Sequence, residues 1–316
     1  MVILFKFDPE KTSSMNRVAV IMLTMNQREK TLRALVSFRE IALPPVQLLL
    51  WDNGSQDDTV DAVTAAFPDV LIHHHPSNLG VASGRNAAAR LAIDKFHPTY
   101  LLFIDNDMIV DPGFVDALLT PFESDPRLAQ TQAKLRFMND PSRLNDGGGC
   151  RIQFWLGRTN PVGFGEVDRG QYDKPARCIS CGGAMMVRTD VFQELGGFDE
   201  KFSPFGPEDL DFSLRCYKAG YHALYVPQAL AYHEVSHSFE GGQYTELYAR
   251  NKSRHWLVFM RRHASIPEQI AFYLIGAPLA IIQMVIREGR KGNWVALRGS
   301  VRGLFDTCRS LLKAQL

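Results

Sequence analysis

The chain has 316 residues, of which 46% are hydrophobic, and its 35 Lys and Arg nearly balance 34 Asp and Glu. That length and apolar content support a sizeable core and exclude a disordered or fibrous chain. A formal net charge of +1 provides no global field to gather nucleic acid, so any charge asymmetry must be local.

Residues 1–16 read as an N-terminal tail, because the apolar stretch Val2 to Phe7, broken by Lys6, is too short for a signal peptide. From Arg17, apolar runs alternate with helical patterns. Strands are expected at Val18 to Leu23, Val46 to Trp51, Val70 to His75 and Tyr100 to Ile104, and helices at Glu29 to Phe38, Asp57 to Phe67 and Val81 to Phe96. This rhythm predicts βαβ units and a parallel sheet. Each strand ends in polar residues: Thr24 and Asn26, Asp52 and Asn53, Asn78 and Gly80, then Asp105 to Asp107. Ligands of open α/β sheets bind at those carboxyl ends.

Between Asp140 and Lys174 the pattern dissolves into Gly-rich loops and short antiparallel strands. It resumes with a strand at Gly183 to Arg188, helices near Thr189 and from Pro207 to Ala219, and a strand from Tyr221 to Val226. A mixed sheet follows, in a main domain over 17–240 with two halves, 17–120 and an acceptor-facing 121–240. Residues 241–316 form a helical, partly amphipathic, basic region. Within it, Ile270 to Ile286 is apolar apart from Gln283 but contains Gly276 and Pro278. Seventeen residues fall short of the roughly 20 that a membrane span needs, so a buried or partner-facing helix is the first reading, with interfacial and spanning helices as alternatives. Residues 287–316 hold seven Lys or Arg against Glu288 and Asp306. Trp294, Leu297, Val301, Leu304, Phe305, Cys308, Leu311 and Leu312 draw an apolar stripe, as in a helix lying on an anionic membrane or on a partner.

Asp105-Asn106-Asp107 carries the strongest chemical signal, since two carboxylates at one strand end repel unless a cation sits between them. Carboxylate oxygens suit Mg²⁺ or Mn²⁺, which bridge such groups to substrate phosphates. His233 would complete a coherent ligand set with Asp107. Pro207-Glu208-Asp209-Leu210-Asp211 opens a helix with more acid than capping needs, and a carboxylate there can take a proton from an attacking hydroxyl. His73, His74 and His75 alternate across a strand and cannot share one ion. Five scattered cysteines, Cys150, Cys178, Cys181, Cys216 and Cys308, indicate a reducing cytoplasm, and the Cys178–Cys181 spacing is read as structural. No Gly-x-Gly-x-x-Gly follows the first strand, against a dinucleotide oxidoreductase.

In order and spacing, these residues, together with Gly84-Arg85-Asn86 and Gly196-Gly197-Phe198-Asp199-Glu200, resemble the family-two glycosyltransferases of the GT-A fold over roughly 17–260. The resemblance implies an α/β GT-A fold with a mixed, mainly parallel sheet, a catalytic domain over 17–240 whose nucleotide-binding half is 17–120 and acceptor half 121–240, and a helical C-terminal extension. It implies inverting, metal-dependent, non-processive transfer from a nucleotide-diphosphate sugar to an acceptor hydroxyl; the Gln-x-x-Arg-Trp signature of processive synthases is absent. Asp52 would meet the donor base, with Thr24, Asn26, Asn53, Asn78, Gly80 and Asn106 about the nucleotide and Arg85 near the pyrophosphate or sugar. Asp105, Asp107 and His233 would hold Mn²⁺ or Mg²⁺, Asp209 would be the base, and Glu208 would orient the acceptor. Tyr248-Ala249-Arg250-Asn251 is similar to a rhamnosyltransferase segment in which a basic residue, here Arg250, meets the leaving diphosphate. A base-accepting Asp favours UDP or dTDP sugars. A glycan or lipid-linked acceptor, peripheral contact with the inner face of the cell membrane through the C-terminal helices, and a homodimer complete the expectation, with no nucleic-acid partner. The alternatives are a sugar nucleotidyltransferase and a catalytically silent scaffold subunit.

Overall fold

The computed structural model describes residues 18–40, 46–179, 182–234 and 245–313, with side chains described except at 40 and 307–313. The N-terminal tail, Cys181, residues 235–244 at the expected domain end, and the side chains of Cys308, Leu311 and Leu312 lie outside it. In chain order the elements are β1 (Val18–Thr24), α1 (Arg28–Glu40), β2 (Gln47–Asp52), α2 (Thr59–Ala66), β3 (Leu71–His74), α3 (Val81–Phe96), β4 (Tyr100–Asp105), β5 (Met108–Val110) and α4 (Phe114–Leu119). There follow β6 (Leu128–Phe137), β7 (Leu144–Asp146), β8 (Cys150–Gln153), β9 (Arg158–Pro161), β10 (Ala176–Cys178), β11 (Ala184–Arg188), α5 (Thr189–Glu194), α6 (Glu208–Lys218) and β12 (His222–His233). The helices α7 (Glu246–His263), α8 (Ile266–Arg290) and α9 (Trp294–Lys313) close the described chain.

The main sheet runs β10-β12-β6-β11-β4-β1-β2-β3. The four N-terminal strands are mutually parallel, β11 is antiparallel to β4 and β6, and β12 returns parallel to β6. Helices cover both faces, which is why β1 reads as a continuous apolar run. Val18, Val20 and Met22 enter one core with Leu35 and Phe114, while Ala19 and Ile21 enter the other with Phe103 and Phe198.

Three features depart from the sequence expectation. β6 is a ten-residue strand whose Gln130, Thr131, Gln132 and Lys134 are buried, so no apolar alternation marks it. Lys134 is neutralised by Asp168 and Asp173, each at 2.6 Å. The final strand does not stop at Val226: a register shift between Val226 and Leu230 absorbs Pro227, which cannot donate to the ladder, and β12 continues to His233.

The third departure concerns the C-terminal helices. Gly276 and Pro278 do not interrupt α8: a π-helical turn at Phe272–Gly276 widens the backbone just before the proline and accommodates its ring. The buried-helix reading of Ile270 to Ile286 is also corrected, since Leu274 is 73% and Ile282 is 54% exposed. On α9, burial falls on Ala296, Gly299, Ser300 and Gly303, not on the bulky stripe.

Candidate active site

The carboxyl ends of β1 and β4, the β7–β9 segment, the start of α6 and one face of α7 enclose a cavity of about 1010 Å³. On its donor side, β4 ends at Asp105, and Asp107 leads directly into β5. β5 pairs antiparallel with the end of β12, placing His233 opposite Met108. This pairing across 125 residues of sequence brings His233 Nε2 to 3.3 Å from Asp107 Oδ1. Donor atoms of Asp105, Asp107 and His233 all lie within 4.8 Å of one another. Burial works against protonation of His233, but the Asp107 hydrogen bond and charge outweigh it and raise the imidazole pKa. His233 Nδ1 lies 3.0 Å from Asn145 Oδ1, and donation there leaves Nε2 to face the carboxylates. Two carboxylates and an oriented imidazole fit a divalent cation, which would replace the proton shared between His233 and Asp107.

Opposite stands the start of α6. Glu208 Oε2 accepts from the Gly206 N–H at 3.0 Å, and Asp209 Oδ1 accepts from the Leu210 N–H at 2.8 Å. Burial raises the pKa of both carboxyls. The charge of Asp209 adds to the rise at Glu208, while Arg85 opposes both. Gly182, at φ +78°, makes room for the base: a Cβ there would lie 2.2 Å from Asp209 Oδ2.

Arg85, 7% exposed, bridges the two sides. It donates to Asp105 at 2.7 Å and lies 3.7 Å from Glu208. Burial opposes its charge, but Asp105, Glu208 and Asp209 together hold it protonated. In this arrangement the guanidinium organises protein acids rather than pointing at an open phosphate site.

The other expected donor residues divide by position. Thr24, Asn53, Asn78, Gly80 and Asn106 line the cavity. Asn53 and Asn78 brace each other at 2.9 Å, and Asn106 donates to Thr24 and Thr31, so these amides are largely spent on shaping the floor. Asn26, at φ +52°, lies off the cavity; its Oδ1 accepts from the Gln56 N–H at 2.7 Å and locks the loop. Asp52 is completely buried beneath the cavity, and its carboxylate accepts from the Ser55 N–H and hydroxyl and meets His74 at 2.6 Å. The histidine run behaves as alternation requires, since His73 and His75 stack on Trp51 while His74 turns to Asp52.

Arg250 does not reach the cavity. It is half exposed and pairs with Asp306 of α9 at 2.6 Å. Lys252, Tyr248, His255 and Trp256 supply the α7 wall instead. Asn145, Asp146, Phe164 and Lys252 were not anticipated; the acceptor-side loops have no periodicity to mark them, and the facing side of α7 is fixed only by packing.

The family model described as glycosyl transferase family 2 matches residues 19–196, and that described as N-terminal domain of galactosyltransferase matches residues 169–239. The N-acetylglucosaminyl-diphospho-decaprenol L-rhamnosyltransferase of Mycobacterium tuberculosis is 27% identical over 262 residues, covering 78% of this chain and 84% of the relative. N-acetylgalactosaminyltransferase 4 of Drosophila melanogaster is 25% identical, over 71% of this chain but only 36% of its own length. Among solved structures, GalNAc-T7 with UDP, GalNAc and Mn²⁺ superposes with a TM-score of 0.55 at 16% identity, covering 68% of this chain and 42% of that one. The mannosyltransferase PcManGT of Pyrobaculum calidifontis, in complex with GDP-Man and Mn²⁺, gives 0.52 at 17% identity over 95% of this chain and 79% of its own. These structural likenesses establish the fold. With the family model laid over more than half of its residues, the chain belongs to glycosyl transferase family 2 and is a glycosyltransferase of the GT-A fold.

Proposed function

We propose that the chain transfers a hexosyl or deoxyhexosyl group from a UDP- or dTDP-sugar to an acceptor hydroxyl, non-processively and with inversion. One observation carries this reading: the Asp105–Asp107–His233 cluster and the Glu208–Asp209 pair face one cavity and are linked by Arg85. The donor diphosphate would lie against the cluster. A Mn²⁺ or Mg²⁺ ion held there would neutralise charge gathering on the leaving diphosphate. The Mn²⁺ accompanying GalNAc-T7 and PcManGT supports the same use of the site.

Asp209 would deprotonate the acceptor hydroxyl as it attacks the anomeric carbon from the face opposite the diphosphate. Glu208, pushed above the ordinary carboxylate range by burial and by Asp209, would hold its proton and leave Asp209 as the ionised member. Glu208 also fixes the Gly206 backbone before α6 and, through Arg85, the position of Asp105. For Asp52 to meet the donor base, the base must displace Ser55 or His74 from its carboxylate. The decaprenol in the name of the mycobacterial relative supports a lipid-linked acceptor; work at the inner face of the cell membrane, in cell-envelope glycan synthesis, is part of the same proposal. A homodimer is retained without an assigned surface.

The test is product stereochemistry. UDP-, dTDP- and GDP-sugars are offered with a short-chain polyprenyl-diphosphate sugar, and the new linkage is read by NMR. Inverted product from a UDP or dTDP donor is expected; retained configuration, or turnover of GDP donors alone, would overturn the reading.

A further inference from the structure

The C-terminal helices present an apolar surface that the cavity does not use. α8 is a 25-residue helix on which Ile270, Leu274, Ile275, Ile282 and Ile286 are exposed. α9 extends that surface because it packs through its small residues. A Cβ on Gly299 would lie 2.3 Å from the carbonyl oxygen of Glu246, and one on Gly303 would lie 2.2 Å from that of Arg250. The matching registers, 246 with 299 and 250 with 303, mean that α9 runs parallel to α7 in close backbone contact. Glycine is needed at those two positions, Ala296 and Ser300 are buried beside them, and Trp294, Val301 and Phe305 are turned outward, 65%, 44% and 73% exposed.

Charge identifies the occupant. Between 277 and 306 the acids are Glu288 and Asp306, and both are satisfied within the chain, by Arg287 and by Arg250. Arg290, Lys291 and Arg298 are exposed beside the apolar residues. We propose that α8 and α9 dock together on the surface of an anionic lipid bilayer, their outward apolar side chains in the acyl boundary and their cations among the headgroups.

The fold requires docking on the surface rather than crossing. Residues 291–293 alone join α8 to α9, and α9 is held on α7. A spanning α8 would carry the start of α9 across a hydrocarbon core of roughly 30 Å and strip Gly299 and Gly303 from α7. The docked surface also grips the cavity wall. A Cβ on Gly276 would lie 2.5 Å from the Trp155 carbonyl oxygen, one on Gly157 would lie 2.4 Å from the Phe272 ring, and Arg158 donates to Gln283. The same β8–β9 hairpin carries Thr159 and Pro161 to the cavity, where Phe164 and Leu247 stand 57% and 60% exposed at the rim. A bilayer under α8 therefore meets the acceptor side of the cavity. That last consequence rests on the lipid-linked-acceptor reading; the docking itself does not.

The experiment is flotation of the full chain with vesicles of phosphatidylcholine, alone or mixed with phosphatidylglycerol. Binding to the anionic vesicles is expected, weakened by salt and falling roughly fivefold for each cation removed in Arg290→Gln and Lys291→Gln. Leu274→Asp with Ile282→Asp should abolish flotation while donor binding, measured by calorimetry, stays at the wild-type value. That calorimetric control separates failure of docking from failure of the glycosyltransferase reading. Equal flotation by wild type and variants overturns the proposal. Retention in the membrane after alkaline carbonate extraction overturns it in favour of a span. Concentration-dependent self-association lost in the same variants, without vesicle binding, overturns it in favour of a second copy of the chain.

Discussion

Asp209→Asn isolates the base from everything else in the cavity. The amide is nearly isosteric, and its Oδ1 can still accept from the Leu210 N–H at the 2.8 Å seen for the carboxylate. The neutral amide also avoids burying a charge, since burial is the first cause of the raised Asp209 pKa. Fold stability should therefore hold or rise slightly. Turnover should not, because losing a positioned general base costs roughly 10²- to 10⁴-fold, or about 3 to 5 kcal/mol in the barrier. The assay is steady-state release of nucleoside diphosphate with saturating donor and acceptor, alongside donor affinity by calorimetry and a thermal melt. The expected pattern is a collapse in kcat, donor affinity within a few-fold of wild type, and an unchanged Tm. Turnover within tenfold of wild type would refute the assignment, and a matched loss of donor affinity would move Asp209 to the donor site.

Gly182→Ala, which places a methyl 2.2 Å from Asp209 Oδ2 on a left-handed backbone, should lower kcat at least tenfold while Mn²⁺-dependent donor binding persists, checked by the same pair of assays. Because burial raises the Asp209 pKa, activity should climb with pH along an acid limb centred above the ordinary Asp value of about 4; a limb at or below that value would mean a well-solvated carboxylate. Asp211, by contrast, is held down at about 2: burial works against it, but hydrogen bonds from His263, Arg215 and Arg262 prevail. A depressed pKa contributes stability that is complete above the unfolded value near 4 and is lost as pH falls through 2, about 2 to 3 kcal/mol in all. Asp211→Asn, which removes the carboxylate that partly exposed Arg215 and Arg262 share, should cost roughly 1 to 3 kcal/mol in urea unfolding at neutral pH, and a change under about 0.5 kcal/mol would show that the network is dispensable.

The N-terminal half was legible because parallel strands buried on both faces must be continuously apolar, and their polar ends then stand out. Thr24, Asp52, Asn78 and Asp105 could be placed at strand ends from residue order alone. Their side-chain directions could not: Asp52 turns beneath the floor to Ser55 and His74, which depends on the packing of β3 beside β2. β6 was invisible because Lys134 and Gln132 are buried with partners at Asp168 and Gly182, and such burial carries no local pattern. His233 met Asp107 only through the β5–β12 pairing, reached by a strand that continues past Pro227. On α7, helical periodicity places Arg250 and Lys252 on different faces but does not say which face meets the cavity. The Asp306 partner and the close α9 packing decide it, turning Arg250 outward. The apolar stripe on α9 could be read from helical spacing, but the small residues that hold the helix on α7 could not, because their burial depends on the two backbones touching.

The most direct test of the central claim is calorimetric binding of UDP to the wild-type chain with Mn²⁺ and with EDTA, repeated for Asp107→Asn and His233→Ala. The account predicts tight binding only with Mn²⁺, weakened at least tenfold in each variant, as removal of a cation ligand requires. Equal affinity in EDTA, or variants that bind Mn²⁺ and UDP as wild type does, would contradict the assignment of the Asp105–Asp107–His233 cluster to a cation-held diphosphate.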